Sequence, residues 1–152
     1  MPTKSKKNLI IFPGFFLPHV GGLETHVDEF VKYLSKDPNY NITIFAPNIP
    51  LTKEKETVHH DVQVIRYPAF ELVKYYALPK FWSITFWKLF SNLYKTRFDF
   101  VMTRTRFFFS SFLGLFFAKI RKTRPIMIHV EHGSHFVHMK SSFTNVVVRI
   151  ID

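Results

Sequence analysis

The sequence predicts an α/β domain built on a parallel sheet with helices on both faces. Three observations carry this expectation. Short continuous apolar runs recur along the chain, which is how strands covered on both faces read. Longer stretches with apolar residues at helical spacing separate them. The alternation persists over nearly all of the 152 residues, and strand–helix–strand units joined by right-handed crossovers are what build parallel sheets.

The first strand is Asn8 to Phe12, a continuous apolar run ended by Pro13-Gly14. Lys4, Lys6 and Lys7 ahead of it give the start a signal-peptide flavour, but Pro13, Gly14 and Pro18 break the apolar run and no small-residue cleavage site follows. Val27, Phe30, Val31 and Leu34 keep helical spacing, predicting a helix from Thr25 to about Ser35 that Asp37-Pro38-Asn39 stops. Ile42 to Ala46 is the second strand, the polar segment Thr52 to His60 a surface loop, and Val62 to Tyr67 a third strand. Trp82, Phe86, Leu89, Phe90 and Leu93 predict an amphipathic helix over Phe81 to Tyr94. Phe100 to Met102 reads as a short strand, Ser110 to Lys122 as a very apolar helix, and Ile126 to Val130 as another strand. Phe107 to Ile120 is shorter than the roughly 20 residues of a membrane-spanning helix, and it ends in Lys119, Arg121 and Lys122. A last helical stripe, Phe143, Val146, Val147 and Ile150, runs to Asp152 without a stop signal, so the chain is expected to continue past it.

The length fits one domain, here residues 1–152. With 47% hydrophobic and 21% charged residues, extended disorder is excluded. The lack of cysteine excludes disulfides, thiolate metal sites and cysteine nucleophiles, and it is compatible with a cytoplasmic location. A net charge of +10 favours an anionic partner, whether nucleic acid, membrane surface or phosphorylated ligand. Nucleic acid is disfavoured, because Lys and Arg are spread along the chain and no recognised binding motif is present. Nineteen Phe exceed the needs of one small core and predict an apolar surface for a partner. The stretch Lys74 to Arg97 interleaves Tyr75, Tyr76, Phe81, Trp82 and Trp87 with lysines. That suits a peripheral position on an anionic membrane, and the alternative is that the same aromatics pack on the sheet or against a further domain.

In an open parallel sheet the ligand crevice lies outside the carboxyl ends of the strands. After the first strand, Gly21 and Gly22 precede the first helix, where backbone amides and the helix dipole can cradle a phosphate; a simple turn is the alternative. After the last strand comes Glu131-His132-Gly133-Ser134-His135, whose His132 can donate a hydrogen bond or shuttle a proton, or serve only as a structural hydrogen-bonder. Arg104 and Arg106 follow a strand and either meet an anionic acceptor or face water beside Thr103 and Thr105. His129, His132, His135 and His138 recur every third residue, but spacing that crosses from strand to loop does not converge on one point, so no metal site is expected.

These loops carry a resemblance. The first strand, the loop P-x-x-G-G-x-E-x-x-V beginning at Pro18, the helix and strand that follow, and the late strand ending in His132-Gly133 resemble the N-terminal domain of family 4 glycosyltransferases. The likeness runs from Asn8 to Asp152 and implies a Rossmann-like domain, the N-terminal half of a GT-B fold. It also implies a nucleotide-sugar donor as substrate, retained anomeric configuration, hexosyl transfer to a lipid-linked, glycan or small-molecule acceptor, and no metal cofactor. By resemblance, His132 is the active-site histidine, and Gly21, Gly22, Glu24, Thr25 and Gly133 line the donor phosphates and acceptor. The C-terminal donor-binding domain of such enzymes, with its paired-glutamate motif, has no counterpart here, so this chain alone is expected to be inactive. The alternative is a non-catalytic interaction domain derived from such an enzyme.

Overall fold

The computed structural model describes residues 5–105 and 108–130. The elements run β1 (Lys7–Phe12), α1 (Gly22–Leu34), β2 (Tyr40–Pro47), β3 (Lys55–Val58), β4 (Val62–Tyr67), β5 (Ala69–Val73), β6 (Tyr76–Pro79), α2 (Ile84–Lys95), β7 (Phe100–Arg104), α3 (Phe109–Ile120) and β8 (Ile126–Val130). Among the described residues, six strands form one sheet in the order β3-β4-β2-β1-β7-β8. Every pairing in it is parallel except β3 with β4. The fold is therefore α/β and Rossmann-like, with α1 on one face and α2 and α3 on the other.

Strand alternation divides the core between those faces. Ile10 and Phe12 of β1 join Phe45, Tyr67, Val101 and the buried stripe of α2, while Leu9 and Ile11 join Ile42, Ile44, Val64 and the α1 residues Val27 and Val31. Because both faces are covered, the central strands lack a polar side, which is why they read as unbroken apolar runs. α3 approaches the sheet closely at Gly114, where a Cβ would lie 2.5 Å from Thr103 Cγ2 and 3.1 Å from the Phe12 ring. Glycine is needed there for space between helix and sheet.

Two segments depart from expectation. Thr52 to His60, expected as a surface loop, contains β3, which pairs antiparallel along the edge with Val58 opposite Val62. The turn between them uses positive φ at His59 and Asp61. An edge strand that short and polar, Lys-Glu-Thr-Val, buries too little to imprint a hydrophobic pattern. Residues 69–79 form a separate β5–β6 hairpin that no alternation announces, its turn closed by Tyr75 at φ 68°. Boundaries also move: α1 starts at Gly22 rather than Thr25, α2 runs Ile84–Lys95, α3 runs Phe109–Ile120, and β7 extends to Arg104. The stripe from Phe143 to Ile150 lies outside the described residues.

Candidate functional site at the carboxyl edge

β1 sits between β2 and β7, so the chain leaves β1 toward one side of the sheet and returns later on the other. That reversal places a crevice at the carboxyl ends of β1 and β7. The loops after these strands meet there: a Cβ on Gly14 would lie 2.4 Å from the Phe108 ring, and Phe15 meets the same ring edge-on at 6.0 Å. Phe15 in turn stacks on His19 at 4.3 Å, and His19 meets Tyr75 of the β5–β6 turn at 6.0 Å. Arg66, buried at the end of β4, donates to Leu17 O and to Glu56 Oε1, both at 2.5 Å, tying the loop after β1 to the edge strand β3.

Gly21 is the N-cap of α1 in extended conformation and offers no side-chain acceptor. The amides of the first turn are therefore left without intrahelical partners. Glu24, 5% exposed, turns its carboxylate back to this end: a Cβ on Gly21 would lie 2.4 Å from Glu24 Oε2. Gly21 thus serves space for that carboxylate, whose charge suits the positive end of the helix dipole. His19 Nδ1 lies 3.4 Å from Glu24 Oε1, an ion pair when the imidazole is protonated. Gly22 differs from its neighbour, since nothing lies within 4 Å of where its Cβ would be. Thr25 is exposed, and its hydroxyl donates to Gly21 O at 2.9 Å.

Arg104 ends β7 with 1% exposure, so of the two alternatives that of a residue facing water does not hold. Its Nη1 lies 3.0 Å from Nδ1 of His26, beneath the first turns of α1. Burial lowers its pKa from the ordinary guanidinium value, which marks a cation held out of water. Long-range pairing sets Arg104 against His26, the residue that follows Thr25 in α1.

Sequence reasoning missed Thr105. It adopts φ 54°, a conformation disfavoured for a β-branched residue, and is 6% exposed. Among the described residues, Thr105 Oγ1 and Ser110 Oγ have no hydrogen-bond partner, while Ser111 Oγ donates to Arg104 O at 3.1 Å and Thr105 O at 2.5 Å. A strained residue with an unsatisfied hydroxyl at the carboxyl edge is a functional signal that no residue-type pattern could reveal. His19 was likewise invisible as a site residue, although it stands inside the loop motif.

His132 and Gly133 follow the end of β8 by two and three positions and lie outside the described residues. So do His135 and His138. His129 Nδ1 lies 2.8 Å from Thr103 Oγ1 across the β7–β8 pairing. Among the described residues, no three His, Asp or Glu converge as metal ligands. No helix among them is long and apolar enough to cross a membrane.

Comparison with known proteins agrees with this architecture. Residues 20–151 match the family model described as Glycosyltransferase Family 4. A relative from Methanocaldococcus jannaschii, named as an uncharacterized glycosyltransferase, is 59% identical over 140 residues, covering 92% of this chain. The chain spans 36% of the length of that relative. No solved structure matches.

Proposed function

The chain belongs to glycosyltransferase family 4, and from that premise we propose that it is the acceptor-side half of an enzyme that moves a hexosyl group from a nucleotide sugar to an acceptor, with retention. The observation that carries this reading is the meeting, at one edge of the sheet, of the uncapped α1 N-terminus and the buried Arg104. Together they bring the positive end of a helix dipole and a buried guanidinium to one edge of the sheet, two groups that stabilise negative charge.

On this reading the leaving diphosphate approaches the amides beside Gly22, the open side of the turn, because Glu24 already holds the side at Gly21. Arg104 adds positive charge, so no metal is required to neutralise the leaving group. Glu24 and Thr25 orient the acceptor at the same rim. His132 and Gly133, just past β8, meet the donor sugar, and His132 stabilises charge developing at the transferred centre. On this reading the nucleotide is held by a part of the enzyme beyond these residues, which span 36% of the length of the relative.

The test uses the full-length protein supplied with donor and acceptor. His132→Ala lowers the transfer rate by about 10²–10³-fold with donor affinity little changed, the size seen when one stabilising donor is removed. Undiminished turnover in that variant overturns the role. A full-length wild-type protein that binds no nucleotide sugar would favour the non-catalytic reading instead.

A further inference from the structure

α3 is apolar nearly all round, a composition that belongs to a helix covered on both sides. Its inner stripe, Leu113 and Phe117 with Gly114, is buried on the sheet. Its outer stripe, Phe112, Leu115, Phe116 and Lys119, follows at i, i+3, i+4 and i+7, and the three apolar members are each more than half exposed. α2 repeats the arrangement: Phe86, Leu89, Phe90 and Leu93 are buried, while Ile84, Trp87 and Tyr94 stand in water. Trp82, 72% exposed, extends this surface ahead of α2.

Between the two helices runs an open groove of about 190 Å³, with Phe86, Phe90 and Leu113 at its base and Trp87, Phe112 and Phe116 on its sides. Its one side-chain donor, Trp87 Nε1, is spent on Phe81 O at 2.7 Å. A groove this small, with no polar group to offer, does not suit a sugar or nucleotide.

The charge on the two helices is one-sided. α2 and α3 carry Lys88, Lys95 and Lys119 with no acid, and the one acid between them in the chain is Asp99. That carboxylate accepts from the backbone N–H of Asn8 at 2.8 Å and is committed to β1. Lys88, Lys95, Lys119 and Lys122 are all exposed on or beside the two helices.

We infer that the α2–α3 face docks the protein onto an anionic lipid bilayer. Exposed Trp, Tyr and Phe beside Lys, with no acid on either helix, is the composition of a surface that seats its rings at the headgroup level and its ammonium groups among anionic headgroups. A second copy of the same face fits poorly, because twofold pairing sets lysines against lysines. A protein partner fits less well too, since Lys is depleted where proteins meet. The assignment goes beyond the transfer chemistry and is read by partition, not turnover.

The experiment is sedimentation of the full-length protein with vesicles of phosphatidylcholine alone and of phosphatidylcholine with phosphatidylglycerol. The protein should sediment with the anionic vesicles only, and less so as salt is raised. Lys88→Gln with Lys95→Gln should lower partition about 25-fold, roughly fivefold per lysine. Trp87→Ser with Phe116→Ser should abolish it while the circular dichroism and thermal unfolding of the protein stay unchanged. Equal sedimentation with both vesicle types, or with neither, overturns the inference. It is also overturned if the aromatic pair lowers the melting temperature and leaves partition intact, which would mean the rest of the polypeptide covers the face, or if it changes the oligomeric mass, which would mean a protein interface.

Discussion

On one face of the sheet α1 carries three acids and one lysine, and on the other α2 and α3 carry three lysines and no acid. The α1 side is finished for water: Asp28 Oδ1 lies 2.6 Å from His59 Nε2, and Lys32 pairs with Glu29 at 3.4 Å. The α2–α3 side leaves Trp87, Phe112 and Phe116 uncovered. Beneath these outer surfaces the two faces are alike, with Val31 of α1 and Phe117 of α3 both fully buried. The difference therefore lies outside the core, in surface that does not hold the fold, and surplus apolar surface of this extent marks an interaction site.

Adjacent residues of α3 separate the two roles most sharply. Phe117 packs on Phe12, Phe90 and Phe98, with ring centroids 5.5–6.0 Å away, while Phe116 is 53% exposed. In urea unfolding Phe117→Ala should cost about 3–5 kcal/mol, and Phe116→Ala within about 0.5 kcal/mol of nothing. Equal costs would break the distinction between core and docking surface.

A smaller effect is expected at Arg121, which holds the rear of the same face. It donates from Nη1 to Leu93 O and Tyr94 O, both at 3.1 Å, and from Nη2 to Thr96 O, closing the end of α2, and it lies over the Phe117 ring at 5.0 Å. Burial lowers its pKa and the nearby Tyr94 opposes that shift. Arg121→Ala should cost about 2–3 kcal/mol by thermal or urea unfolding, because the last carbonyls of α2 lose their donors. Arg121→Lys should recover only part, since an ammonium cannot reproduce the planar fork.

The smallest effect at neutral pH is expected at Tyr67, buried in the α2–α3 half of the core. Burial raises its pKa well above the ordinary phenol value, so the folded state keeps the proton that the unfolded chain releases above pH ~10. Stability from this group is fully present below that pH and falls as pH rises past it, by about 1.4 kcal/mol per pH unit. Tyr67→Phe should leave unfolding unchanged at pH 7 and remove this alkaline loss.

Much of this was legible in the chain. Asn8 to Phe12 reads as a strand because β1 is buried on both faces from Leu9 onward, Ile126 to Val130 reads as one from its short apolar run although β8 is a largely exposed edge among the described residues, and the stripes of α1 and α2 follow from the helical period. The segment from Gly21 to Thr25 read as the approach to the first helix because the motif is local, and α1 takes in all of it but Gly21. β3 and the β5–β6 hairpin were not legible, because an exposed edge and a solvent-facing turn bury little and so leave little pattern.

By itself the sequence determined the α/β class, the order of the parallel strands and of the three helices packed on them, and an excess of aromatic and basic residues, all consequences of period and composition. Only the tertiary structure decided that Arg104 is buried beneath α1 and not washed by solvent, that Gly21 makes room for Glu24 while Gly22 stays open, and that Thr105 is strained. It alone decided which aromatics are core and which are surface. Those facts depend on contacts between residues far apart in the chain, and neither a local pattern nor a residue's type specifies which distant neighbour it meets.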